Sequence, residues 1–255
     1  MFETNFINEI LNNLTLSCPI HIINQNPVEE LIEKKFEQKS IVILLGDESK
    51  RPNKLKNCLV FRQYKHSKFP AENERAIPLP IRAGYSPPYH ELSTRNYLFS
   101  FSGQKNPSRD IMVNVINNYT QRNNVPFYLN ITDSFSAGLS IEEYAEIMSQ
   151  TVFALIPWGG HYETFRYTEA LYSGCIPVTL FRPTEWYDSK CTIYLRGWYE
   201  LPRVLKLNPQ KFEEWSKFNV NHYREKMSPV AVARYIEREW KNFLNTSSNT
   251  AANTK

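Results

Sequence analysis

Apolar positions along this chain come in short blocks cut off by proline, glycine and polar clusters, the pattern of strands alternating with helices. In the first third, Ile20–Ile23 and Ile41–Leu45 are apolar, β-branched runs predicted as strands, with a helix over Val28–Gln38 between them. Cys58–Gln63 and Ile77–Ile81 offer two more short strands, and this order suggests a small parallel sheet. Pro78, Pro80, Pro87 and Pro88, with Gly84 among them, then read as an interdomain connection or a loop lining a cleft.

A second α/β unit is predicted from Asn96. Tyr97–Phe101 reads as a strand, Ser102–Ser108 as a glycine-containing loop, and Arg109–Asn118 as a helix with Ser108 at its N-cap. Phe127–Thr132 is another strand, and Ser140 with Glu143 three residues later has the spacing of a capping box. Val152–Pro157 is an apolar strand stopped by Pro157 and Gly159. Phe165–Ser173 follows as a helix closed by Gly174, and Cys175–Leu180 resumes as a strand. Cys191–Leu195 adds a strand, and Lys211–Lys226 and Pro229–Phe243 read as two helices, the second started by Pro229. The residues from Asn245 are small and polar, as expected of a flexible tail.

Composition narrows the class. Hydrophobic residues at 42% and aromatics at 14% supply a full core and exclude wholesale disorder. A net charge of +4 is too small an excess to suggest nucleic acid as a partner. Lys50, Arg51, Lys54 and Lys56 form the nearest thing to a basic patch, either a solvated loop or a wall for an anionic ligand. Cys18, Cys58, Cys175 and Cys191 lack metal-ligand spacing and are too few for a disulfide scaffold, and the five histidines are scattered. No run approaches the ~20 apolar residues that span a bilayer. The amino end is unlike a signal peptide, so a soluble cytoplasmic protein is expected.

The chemistry concentrates in Thr151–Leu180. Arg166 and Glu169 stand three apart, so on a helix they share a face. A charged pair just beyond a strand's carboxyl end is placed where open α/β sheets bind anionic ligands, and a surface ion pair is the plain alternative. Pro157, Gly159, Thr164, Arg166, Glu169, Ala170 and the run Gly174, Cys175, Ile176, Pro177, Val178 closely resemble the donor-binding signature of the exostosin-like glycosyltransferases, family 47. Thr164 replaces the commoner serine, and Phe165 a frequent proline. Tyr97–Gly103 followed by Arg109 is similar to the family's upstream strand, loop and arginine.

The resemblance implies an α/β fold of the GT-B type, two Rossmann-like lobes facing a central cleft, in a compact version. The expected division is 1–95 as the acceptor-side lobe, 96–244 as the nucleotide-sugar lobe and 245–255 as tail, with the last helix crossing back to the first lobe. The implied activity is inverting transfer from a UDP-sugar, with UDP-xylose among the candidates, to a glycan acceptor hydroxyl. A nucleotide-sugar or glycan-binding module without turnover is the alternative.

Guanidinium grips phosphate bidentately, which makes Arg166 and Arg109 the candidates for the leaving diphosphate. Ser102 and Gly103 would offer backbone N–H groups, Thr164 a hydroxyl, and Pro157 and Gly159 the turn. By resemblance, Glu169 would hold the ribose hydroxyls. No Asp-x-Asp occurs, so no metal or other cofactor is expected. His161 would either touch the donor or sit in a surface loop, and Trp158 and Tyr162 would stack on a ligand or join the core. The catalytic base expected of an inverting enzyme has Asp47, Glu48, His90 and Glu91 as candidates. Arg82 and Tyr85 would line the acceptor side.

Overall fold

The computed structural model describes residues 4–24, 34–46, 54–64, 71–134, 137–159, 161, 163–181, 186–187 and 189–252. Helix α1 (Thr4–Asn13) opens the chain, with Phe6, Ile7 and Ile10 buried along one face. Strands β1 (Ile20–Asn24), β2 (Lys35–Leu45), β3 (Lys56–Arg62) and β4 (Glu74–Ala76) then form a parallel sheet in that order.

Two of the expected elements differ here. Residues 28–33 of the predicted helix lie outside the described residues, and from Lys35 the chain is already extended. Lys35 pairs with Lys56, and Phe36 is buried with Val42, Leu44, Leu55, Cys58 and Val60. Pairing and burial of one aromatic ring override the helical preference of the charged residues around it. The strand predicted over Ile77–Ile81 is replaced by Glu74–Ala76. The Ile77 N–H still donates to the Arg62 carbonyl at 2.8 Å, but Pro78 and Pro80 have no N–H with which to extend the ladder.

The strands of the second sheet alternate with helices as far as β8: β5 (Tyr97–Gln104), α2 (Pro107–Asn123), β6 (Phe127–Thr132), α3 (Ile141–Ser149), β7 (Thr151–Ile156), α4 (Phe165–Tyr172) and β8 (Ile176–Thr179), after which come β9 (Ile193–Tyr194) and α5 (Gln210–His222). All five strands run parallel in the order β6-β5-β7-β8-β9. Every residue of β7 is buried, as a strand covered on both faces requires. Phe153 on this strand lies 5.5 Å from the Phe99 ring and 5.0 Å, edge-on, from Phe212.

Strand β5 runs through Gln104, past the loop predicted to begin at Ser102. Asn106, not Ser108, is the N-cap of α2: its side-chain oxygen accepts from Ser108 N at 3.0 Å, and Pro107 takes the first helical position. The capping box of α3 is as predicted, with Glu143 N donating to Ser140 Oγ at 3.1 Å and Ser140 N to Glu143 Oε2 at 2.8 Å. Strand β9 is shorter than the predicted Cys191–Leu195.

A π-helical turn, Tyr223–Met227, follows α5, and α6 (Pro229–Ala252) ends the described chain. The helix starts at Pro229 as expected and runs on through residues read as tail. It packs on α1 and β3, and Thr15 donates from both N and Oγ1 to Glu237 Oε1, each at 2.7 Å. One compact unit extends to Leu79 and resumes at Met227; the other is Pro80–Lys226. The segment from Pro80 to Arg95 therefore packs with the second sheet.

Gly174 ends α4 with φ of 67°, a left-handed conformation costly for any residue with a Cβ. An added Cβ would also lie 2.7 Å from Ser216 Oγ and 3.1 Å from Val220 Cγ2. Gly174→Ala is expected to cost roughly 1–2 kcal/mol, read as a lower urea midpoint with unchanged far-UV dichroism.

Candidate functional site

Open parallel sheets bind ligands beyond the carboxyl ends of their strands, where successive connections depart to opposite sides. In the second unit that point lies between β5 and β7. From β5 the chain passes through α2 to β6 on one flank, and β7 occupies the other flank. The chain leaving β5 carries Arg109, and the chain leaving β7 carries Pro157, Trp158, Gly159, Thr164 and Arg166.

The two arginines meet there. Arg109, in the first turn of α2, is buried; its Nε donates to the Trp158 carbonyl at 2.8 Å and its Nη1 to the Gln104 carbonyl. Arg166, second residue of α4, donates from Nη2 to the Ser102 carbonyl. The guanidinium carbons stand 5.4 Å (Arg109) and 4.6 Å (Arg166) from the centroid of Phe101, which supports both from one side. Neither arginine has an acidic partner among the described residues. Burial, and then the charge of Arg166, pushes the Arg109 pKa down to about 10. Two adjoining cations anchored only on neutral carbonyls keep a positive charge that no described carboxylate cancels.

Buried polar atoms without partners cluster in the same region. Arg166 Nε and Thr164 Oγ1 make no hydrogen bond among the described residues, and neither does the Tyr144 hydroxyl. Thr164 occupies the N-cap position of α4, yet its side chain does not cap the helix. Pro157 is buried where it ends β7, and Gly159 N donates to the His161 carbonyl at 3.1 Å. His161 is buried and its Nδ1 accepts from Glu163 N at 3.1 Å, so it shapes the loop from within. Glu163, also buried, had no signal in the sequence. Tyr162 lies outside the described residues.

The structure corrects the expected roles of Ser102 and Gly103. They continue β5 opposite Asn130 and Ile131 rather than forming a loop of phosphate-binding N–H groups. Ser102 contributes its carbonyl to Arg166. Gly103 contributes space, because a Cβ there would lie 2.8 Å from Arg166 Nη2, 3.2 Å from Phe101 Cζ and 3.5 Å from Arg109 Nη1.

Glu169 is enclosed. Its side chain is 1% exposed, and Arg82 covers it from Nε to Oε1 at 2.6 Å and from Nη2 to Oε2 at 3.3 Å. The Arg82 guanidinium lies over the Tyr144 ring at 4.4 Å. The Tyr85 hydroxyl donates to the Glu169 carbonyl at 3.3 Å and also bonds Ser173 Oγ. Arg82 and Tyr85, expected on the acceptor side, therefore serve α4. Burial raises the Tyr144 pKa, with Glu169 adding to the shift and Arg166 and Arg82 opposing it.

Of the candidate bases, His90 and Glu91 are not brought to this point. His90 and Glu91 flank the amino end of β7: the His90 carbonyl accepts from Arg95, which also donates to the carbonyl of Thr151. Thr151 and Trp158 are separated by roughly 23 Å of extended chain at ~3.3 Å per residue. The His90 ring lies 3.8 Å from Glu146, and the Glu91 carbonyl accepts from Thr94. Asp47 and Glu48 lie outside the described residues. Cys175 is a packing residue: it is buried, its thiol donates to the Met148 carbonyl at 3.0 Å, and burial pushes its pKa up to about 11. Among the described residues no group of three His, Cys, Asp or Glu side chains could hold a metal ion, and no helix is long and apolar enough to cross a membrane.

Two α/β units on parallel sheets define an α/β fold of the GT-B-like class. A profile of the exostosin GT47 domain matches residues 31–220, about three quarters of the sequence, and the chain belongs to that family of glycosyltransferases. Among solved structures, one of a GtfA/B complex is similar at a TM-score of 0.50 and 10% identity, covering 80% of this chain and 57% of that one. One of accessory secretory proteins 1, 2 and 3 from Streptococcus pneumoniae has a TM-score of 0.47 and 8% identity, covering 91% of this chain and 54% of that one. This chain thus spans little more than half the length of either. No curated protein matches its sequence.

Gly103→Ala is expected to displace the flexible end of Arg166 while leaving the fold intact, weakening pyrophosphate binding at least about fivefold with little change in melting temperature. Gly159→Ala is the control: its Cβ would meet Arg109 Nη2 at 3.6 Å and Thr164 Cγ2 at 3.7 Å, ordinary contacts, so titration calorimetry should find binding nearly unchanged.

Proposed function

We propose that the chain transfers a sugar from a nucleoside-diphosphate sugar to a hydroxyl of a glycan acceptor, with inversion at the anomeric carbon. A UDP-sugar is the proposed donor, with UDP-xylose among the candidates. The observation that carries this reading is the Arg109–Arg166 pair beyond β5 and β7, packed against Phe101 with no carboxylate partner among the described residues. Departure of the nucleoside diphosphate builds negative charge on its terminal phosphate. Two fixed guanidiniums already in place stabilise that charge without reorganisation, and they stay protonated at neutral pH. The amino end of α4 points its uncapped N–H groups into the same region and adds to the effect. These cations replace the metal ion that other diphosphate sites use, so turnover requires none.

The acceptor hydroxyl must lose a proton. With His90 and Glu91 at the other edge of the second sheet, Asp47 and Glu48 are the proposed bases. They follow Leu45 closely in sequence, and Leu45 ends β2 at its carboxyl end.

UDP is expected to raise the melting temperature, with a stabilisation of about 2.7 kcal/mol at a hundredfold excess over Kd. Arg166→Ala and Arg109→Ala should each abolish the shift, and a shift persisting unchanged in both would remove the diphosphate assignment. Turnover of a UDP-sugar, followed as free UDP, should be insensitive to EDTA. Asp47→Asn or Glu48→Gln should lower kcat at least about a hundredfold with UDP affinity within about twofold, since a base contributes about 10²–10⁴. UDP binding without turnover of any UDP-sugar would instead identify a binding module.

A further inference from the structure

Arginines of two kinds stand around α4. Arg109 and Arg166 are uncompensated; Arg82 is neutralised by Glu169. We infer that Arg82, not Glu169, is the member of that pair that meets the donor, where it binds uncharged acceptor oxygens of the nucleoside while Arg109 and Arg166 hold the diphosphate. The inference rests on the donor-site reading above and assigns one residue within it.

Exposure is the first argument. The Arg82 side chain is 28% exposed and that of Glu169 only 1%, so the carboxylate lies behind the guanidinium and a ligand arriving from solvent meets Arg82. The second is donor accounting. Nε and Nη2 each give a hydrogen to the carboxylate, and Nη1 has no hydrogen-bond partner among the described residues. The third is rigidity. Two bonds to Glu169 and a face packed on Tyr144 at 4.4 Å fix the plane of the guanidinium, so the remaining N–H groups point in set directions. The Tyr144 hydroxyl, buried and without a partner, adds a further polar group beside that plane.

Charge decides the ligand chemistry. A guanidinium paired with a carboxylate offers donors with little net charge, which suits ribose hydroxyls or base carbonyls rather than phosphate oxygens. Glu169 then acts as a positioning residue through Arg82. Their partnership also accounts for a buried carboxylate, which would be costly without its cation.

Titration calorimetry with UDP, 2′,3′-dideoxy-UDP and inorganic pyrophosphate tests the assignment. Arg82→Gln and Glu169→Gln are each expected to weaken UDP binding at least about tenfold and to leave pyrophosphate binding within about twofold of wild type. The double variant should be no weaker than the weaker single, because the two residues act as one unit. Arg82→Lys should not restore binding, since an ammonium lacks the planar fork. A loss confined to UDP places the contact on the ribose hydroxyls; an equal loss with the dideoxy nucleotide places it on the base.

The inference is overturned if Arg82→Gln binds UDP like wild type, if pyrophosphate binding falls in step with UDP binding, or if only Glu169→Gln loses UDP. Wild-type protein that binds neither UDP nor pyrophosphate would remove the donor-site reading, and this assignment with it. Should Arg82→Gln fail to fold because it strands a buried carboxylate, Glu169→Gln, which keeps an amide of the same shape, carries the same comparison.

Discussion

The second unit is organised around two guanidiniums held against one phenyl ring, neither with an acidic partner among the described residues. Their anchors are the carbonyls of Gln104, Trp158 and Ser102, which orient the cations but leave their charge uncancelled. Burial and then the charge of Arg166 both work against the charged form of Arg109. Its persistence follows from what surrounds it. Strands β5 and β7 fix the carbonyls, a buried proline fixes the turn, and a glycine on the ladder leaves room for the guanidiniums to approach.

Helix α4 separates an arginine with no acidic partner from a carboxylate that has a cation of its own. Arg166 and Glu169 share its face, and a spacing of three would let them pair with each other. They do not. Arg166 turns toward β5, while Glu169 is taken by Arg82 from a segment eighty-seven residues earlier. Had they paired, the Glu169 carboxylate would have cancelled the charge of Arg166. Arg82 therefore keeps Glu169 away from Arg166 as much as Glu169 holds Arg82 in place.

Much of this was legible in the sequence wherever the signal was local. The apolar run of β7, the capping box at Ser140 and the glycine closing α4 each depend on neighbours within a few residues, and each stands as expected. The signature placed Arg109 and Arg166 in one site, and the structure brings them onto one ring. What could not be read depends on distant partners. The extended Lys35–Gln38 answers to Lys56, and the enclosure of Glu169 answers to Arg82. The role of Gly103 is set by two side chains from other elements, so the glycine suggests a loop until the arginines are in view. Asn106 was missed as a cap because the strand before it runs further than its apolar residues show.

The opposite edge of the same sheet shows what arginine does when it is only structural. Arg95 donates to the carbonyls of His90, Thr151 and Ser173, at 2.6–3.3 Å, and reaches Cys175 Sγ at 3.7 Å. All three of its nitrogens are engaged, and the amino end of β7 is closed around it. At the carboxyl end the same kind of carbonyl anchoring is used more sparingly. Arg109 bonds two carbonyls and Arg166 one, leaving Arg166 Nε buried and unsatisfied beside the unpartnered Thr164 hydroxyl. A buried polar group left unpaired costs about 1–3 kcal/mol. The protein satisfies its arginine fully at one edge and leaves donors open at the other, the end at which open parallel sheets as a class bind ligands.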